Sequence, residues 1–125
     1  MTASERAAYR WLLARRGYTS RTLRFQRRAS PDFLGSDGRA WEVKLVRNRS
    51  VLFTAAQIVA LGSHQRCMIL LWSDGARAPE AIVPFRALHP LPSVWRQYRI
   101  LVARTPVLAP RAPIPTPNPT GGQIP

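Results

Sequence analysis

The sequence predicts a mixed α/β domain, a central mixed β-sheet flanked by helices, on three observations. A capped segment of helical period opens the chain, an aspartate–glycine turn joins two apolar runs at 31–46, and CMILLWS at 67–73 is apolar without alternation. Alternation marks a strand covered on one face, and its absence marks a strand covered on both, so helices are expected on the sheet.

Taken in order, 2–16 reads as a helix. Thr2 and Glu5 have capping-box spacing, Ala8, Tyr9, Leu12 and Leu13 recur at helical intervals, and Gly17 supplies a left-handed stop. TLRFQ at 22–26 is a short strand in an arginine-rich stretch. PDFLGSDGRAWEVKLV at 31–46 reads as a β-hairpin turning at Asp37-Gly38. In its second arm Trp41, Val43 and Leu45 share one face, and Ala40, Glu42 and Lys44 share the other. Residues 54–61 form a second helix ending at Gly62, and Thr54 with Gln57 repeats the capping-box spacing.

CMILLWS is then an interior strand, Asp74-Gly75 turns the chain, and AIVPF at 81–85 returns as another strand. SVWRQYRILVAR at 93–104 satisfies two periods: Trp95, Tyr98 and Val102 suit a helix, whereas Tyr98, Ile100 and Val102 suit a strand. Helix is the favoured reading there. Residues 105–125 hold seven of the chain's 12 prolines, which favours extended polyproline conformation. The expected organisation is one domain over 1–104 with a proline-rich C-terminal tail over 105–125.

The formal charge is +13, from 19 basic and six acidic residues. A GC-rich coding sequence explains arginine in place of lysine but not basic in place of acidic. Such an excess suits a polyanionic partner, with nucleic acid the commonest. A membrane-surface role wants an amphipathic helix with its cations on one face, and no such pattern occurs. Neither a signal peptide nor an apolar run of membrane-spanning length is present, so no membrane partner and a cytoplasmic, not secreted, location are expected. Cys67, inside an apolar run, reads as a buried core thiol. His64 and His89 have no metal-ligand spacing, and Trp41, Trp72, Trp95 and Tyr98 read as core residues.

The one lysine, Lys44, stands among 18 arginines. A lysine ammonium is compact and changes its pKa on burial, whereas a guanidinium stays protonated, so this position calls for a reason. Of the six carboxylates, Asp37, Asp74 and Glu80 are explained by adjacent turns. Asp32 and Glu42, on partnered arms of the hairpin, come side by side at the sheet margin. At about 4 Å and an effective dielectric near 20 they repel by about 4 kcal/mol. A divalent cation relieves that repulsion, and hard oxygen donors suit Mg²⁺ or Mn²⁺. Lys44, facing the same way, would orient a water or steady charge growing on a phosphate. An ordinary surface ion pair between Glu42 and Lys44 is the plainer alternative. Glu5 and Gln57 each have two readings, a helix cap or a member of this site. Arg21, Arg24, Arg27, Arg28, Arg47 and Arg49 flank the constellation and are expected to contact phosphates.

Pro31-Asp32 followed by Glu42-Val43-Lys44 resembles the PD-(D/E)xK nuclease signature. The surrounding order is similar to that of the archaeal-type Holliday junction resolvases over roughly residues 4–90: Ser4-Glu5-Arg6 in a first helix, Gly17-Tyr18 at its end, and a strand–turn–strand closing on VPFRAL. The resemblance implies a restriction-endonuclease-like core and a Mg²⁺-dependent DNA endonuclease, with Mn²⁺ able to substitute. It implies Asp32, Glu42 and Glu5 as metal ligands, Lys44 and Gln57 as further catalytic residues, branched or duplex DNA as substrate, and a homodimer. Ser30 stands where those resolvases carry a serine near bound DNA, although their glycine-rich loop before the motif is missing here. Two other readings stay open: a flap-, nick- or sequence-specific nuclease of the same fold, and a non-catalytic basic nucleic-acid-binding module.

Overall fold

A computed structural model describes residues 1–86 and 97–103 of the chain. The expectations for His89, Trp95 and the tail at 105–125 lie outside the described residues. Helix α1 spans Ala3–Arg15, strands β1 Leu23–Phe25, β2 Phe33–Gly35, β3 Ala40–Leu45 and β4 Ser50–Thr54 follow, then helix α2 Ala55–Gly62. Strands β5 Cys67–Trp72, β6 Ala81–Pro84 and β7 Arg99–Ala103 complete the order. The architecture is α/β, with a mixed five-stranded sheet ordered β1-β2-β3-β5-β6 and a second, two-stranded sheet of β4 and β7.

Strands β1, β2 and β3 run as an antiparallel meander, β3 and β5 pair parallel, and β6 returns antiparallel to β5. The parallel step needs a crossover, which β4 and α2 provide. β5 therefore sits inside the sheet, as its unbroken apolar run requires.

The two faces of β3 divide the core. Trp41 joins Ala8, Leu12, Phe33 and Trp72 in the cluster beneath α1, with Val43 and Leu45 packed against it. Ala40 joins Val51, Phe53, Leu61 and Ile69 in the cluster under α2 and β4. Each fully buried side chain of this size contributes roughly 1.5–3 kcal/mol, so both faces hold the strand firmly. A polar chain running from the core to the surface adds direction: the Trp41 indole N–H donates to the Tyr18 hydroxyl at 2.9 Å, and that hydroxyl donates to the exposed Asp37 at 2.9 Å. Gly35 is required beside this chain, because a Cβ there would lie 2.7 Å from the Tyr18 ring.

Two elements differ from the sequence-based expectation. Ser50–Thr54 is a strand where the sequence pattern assigns no element before the helix at Thr54, because its apolar run passes directly into the Thr54 cap. The helix favoured within 93–104 is corrected for its described part: Arg99–Ala103 is strand β7, paired in parallel with β4 from Ser50↔Arg99 to Thr54↔Ala103. β-branched Ile100 and Val102 suit a strand, and the exposed edge of β4 supplies the partner that decides between two nearly balanced local patterns. Among the described residues no helix is long and apolar enough to cross a membrane.

Candidate active site

Register brings the site together. Phe33 pairs with Trp41, so Asp32, just before β2, lies beside Glu42. The Asp32 amide donates to Glu42 Oε1 at 3.0 Å, and the Val43 amide donates to Asp32 Oδ2 at 2.8 Å. The two carboxylates are thus locked to each other's backbone across the hairpin. Glu42 is 2% exposed, the single polar or charged side chain that is buried among the described residues. Ordinary packing rejects such a group, since burying an uncompensated carboxylate costs several kcal/mol.

Lys44 leaves β3 on the face that carries Glu42. Its Nζ donates to the Leu52 carbonyl at 2.8 Å and to Gln57 Oε1 at 2.6 Å, stands 4.0 Å from Glu42 Oε2, and lies 4.8 Å from the centroid of the Phe53 ring. Strand β4, which sequence reasoning missed, therefore supplies both an acceptor and an aromatic wall. The ammonium is enclosed and held on three sides, not waving in solvent.

The two readings of Glu5 and Gln57 turn out to be compatible. Both capping boxes form. Gln57 Oε1 accepts from the Thr54 amide at 3.0 Å and from Lys44 at the same time. Glu5 Oε1 accepts from the Thr2 amide at 2.7 Å, and the Glu5 carboxyl also reaches Asp32, whose proton affinity it raises. Each helix thus begins at the site, with the acid or amide of its capping box turned inward and its positive dipole end near the acids.

Protonation equilibria follow this geometry. Burial pushes the Glu42 carboxyl up to about 8, and the neighbouring Asp32 charge reinforces the shift against opposing help from Lys44. Asp32 is pushed up to about 6, first by burial and then by Glu5, against the Val43 amide and Lys44. Burial holds Lys44 below the usual lysine range, opposed by both acids. The group stores unfavourable carboxylate charge that a cation would relieve. Among the described residues no three His, Cys, Asp or Glu side chains form a metal-holding group by themselves. Two carboxylates with water and substrate oxygens completing the shell is the arrangement Mg²⁺ tolerates best, because it sheds water reluctantly.

The flanking arginines separate. Arg28 and Ser30 line a hollow of about 400 Å³ with Glu5, Asp32 and Gln57, and Ser30 Oγ reaches Glu42 Oε2 at 3.4 Å. Arg47 borders a second hollow with Lys44, joined there by Arg99, which sequence reasoning did not select. Only the β4–β7 pairing places Arg99 there, so no local signal marks it. Arg27 is exposed between β1 and β2. Arg21 and Arg24 line a separate hollow with Arg39 and His64. Arg49 is engaged in holding the β7 approach, with its Nη2 donating to the Gln97 carbonyl at 2.7 Å and its guanidinium over the Tyr98 ring. Cys67 is buried and its thiol is pushed up to about 12 by burial, as a core residue should be.

Compared with protein-family models, curated proteins and solved structures, the chain shows no match. The chemistry of the site therefore rests on its own geometry.

Proposed function

We propose that the chain is a Mg²⁺-dependent DNA endonuclease of the PD-(D/E)xK kind that hydrolyses phosphodiester bonds, with Mn²⁺ able to replace Mg²⁺. The observation that carries this reading is the convergence of Asp32, Glu42 and Lys44, on an arrangement of β-meander, parallel crossover and antiparallel return that suits a restriction-endonuclease-like core. Asp32 and Glu42 would hold the divalent ion, with Glu5 behind Asp32. Bound there, the ion supplies Lewis-acid polarisation of the phosphate and a more acidic water.

The rest of the work falls to the chain. Lys44, fixed by Leu52 and Gln57, directs its remaining donor capacity at the attacking water or at the phosphate oxygen where charge grows. Burial lowers its proton affinity below the usual lysine range, whereas an arginine at the same place would stay protonated. Arg28 and Ser30 on one side, and Arg47 with Arg99 on the other, frame a passage for a phosphate backbone across the acids. The preferred substrate in this proposal is a branched duplex of the Holliday junction type, cut symmetrically by a homodimer.

Incubation with branched, flapped and linear duplex DNA, in Mg²⁺ and in EDTA, tests the proposal. Cleavage is expected in Mg²⁺ only, with the four-way junction cut fastest. Faster cutting of a flap, nick or linear site moves the substrate within the same chemistry. Absence of cutting on every substrate with both Mg²⁺ and Mn²⁺ contradicts the enzyme and leaves a non-catalytic nucleic-acid-binding module.

A further inference from the structure

Away from the carboxylates, four guanidinium groups from separate segments border one hollow of about 590 Å³. Arg16 follows α1, Arg39 precedes β3, Arg66 precedes β5 and Arg86 follows β6. None of the four adjoins another in sequence, so the grouping is a product of the fold. Arg16 lies 5.7 Å over the Trp11 ring and 5.6 Å over the Trp41 ring, which fixes its direction. Arg66 Nη1 donates to the Asp37 carbonyl at 3.0 Å, and Arg39 Nε stands 4.0 Å from Asp37 Oδ2. Only the Arg39 contact is to the Asp37 carboxylate, whose oxygens already accept from the Tyr18 hydroxyl and the Arg39 amide.

Arg39 also borders the neighbouring hollow that holds Arg21 and Arg24. Two basic hollows thus meet at one residue and make a track of six guanidiniums. A free phosphate or nucleotide would fill one hollow and leave the other unpaired. A polymer of phosphates fits both, because a guanidinium fork pairs two-to-two with phosphate oxygens along a backbone.

We propose that this track binds the phosphate backbone of a duplex DNA arm, apart from the bond placed at Asp32, Glu42 and Lys44. Arg39 and Lys44 are five positions apart on an extended strand, roughly 17 Å. The odd separation puts the two on opposite faces of β3, so the track is a contact separate from the bond at the acids. The track gives affinity and orientation without reading sequence.

Fluorescence anisotropy with a labelled 30-base-pair duplex in EDTA, over a series of salt concentrations, tests this without any cleavage. Cutting activity and arm binding are thereby read separately, and a chain that cuts nothing still answers. The double variant Arg66→Gln/Arg86→Gln is expected to bind about tenfold more weakly and to flatten the dependence of log affinity on log salt by about 2. The exposed single variant Arg86→Glu, which disturbs no contact described above, should weaken binding in the same direction with an unchanged melting temperature. Unaltered affinity and slope in both variants overturn the proposal. So does an equal loss in Arg10→Gln/Arg77→Gln, a pair lining a different hollow, since net charge alone would then be responsible. Displacement of the duplex by millimolar inorganic phosphate at constant ionic strength would also overturn it, by assigning the hollow to a small anion.

Discussion

Replacing Lys44 by alanine is expected to slow Mg²⁺-dependent DNA cleavage by about 10²–10⁴-fold. Metal-free DNA binding should change by less than about threefold, since only one of many cations is lost. The expectation follows from position: the ammonium is held by the Leu52 carbonyl and Gln57 Oε1, 4.0 Å from Glu42, and its side chain is 12% exposed. A largely enclosed cation adds little to long-range attraction but much to charge developing beside it. Lys44→Arg is expected to fail as well, because the wider planar group does not fit between Phe53 and Gln57 and does not give up a proton. Gln57→Ala should fall between wild type and Lys44→Ala, losing the lysine's acceptor together with a cap worth about 1 kcal/mol. Single-turnover rates beside EDTA binding curves separate these outcomes. Equal losses of cleavage and binding in Lys44→Ala would assign the lysine to affinity alone.

The second large effect is on stability. Without metal, the protein is expected to lose stability steadily as pH rises from about 5 to 8, and Glu42→Gln should abolish most of that loss. The sign comes from the direction of the shift. Glu42 is raised from 4.5 to about 8 on folding, so between those values the folded chain holds a proton that the unfolded chain has released. Stability is therefore fully present below about pH 4.5 and is lost as pH climbs through the folded value. Asp32, raised from 3.8 to about 6, adds loss of the same sign at the acid end of the window. Lys44, lowered from 10.5, acts in the opposite sense, with stability gained as pH rises below that value. At about 1.4 kcal/mol for each tenfold in proton affinity, the Glu42 displacement is worth on the order of 4 kcal/mol. Calorimetric melting at pH 8 should place metal-free Glu42→Gln on the order of 10 °C above wild type. Millimolar Mg²⁺ should raise the wild type and leave the variant where it was. A flat pH profile for the wild type would contradict the burial of this carboxyl.

Much of the site was legible in the sequence because it is built on period two. Asp37-Gly38 fixes the hairpin, alternation puts Glu42 and Lys44 on one face, and register does the rest. The lone lysine drew attention by chemistry, not by pattern. What stayed hidden depends on pairing between distant segments. β4 was hidden because its apolar residues run into the Thr54 cap, and β7 because Tyr98, Ile100 and Val102 satisfy both periods until β4 is placed beside them. The Leu52 carbonyl, the Phe53 ring and Arg99 came with those strands. Arginines near the motif form one group in sequence, yet Arg28 and Arg47 border the acids while Arg21 and Arg24 join Arg39 elsewhere. For Glu5 and Gln57 the sequence posed a choice that the fold does not make, because one carboxyl or amide oxygen has room for both a helix amide and a neighbour in the site.

Anomalous diffraction from crystals of the wild-type protein soaked in Mn²⁺ measures the convergence of Asp32 and Glu42 on a metal directly. A peak about 2.1 Å from a carboxylate oxygen of each residue, absent in Asp32→Asn, is the expected result. Crystals in which Mn²⁺ occupies other sites while both carboxylates keep only their Val43 and Asp32 amide partners would contradict the account.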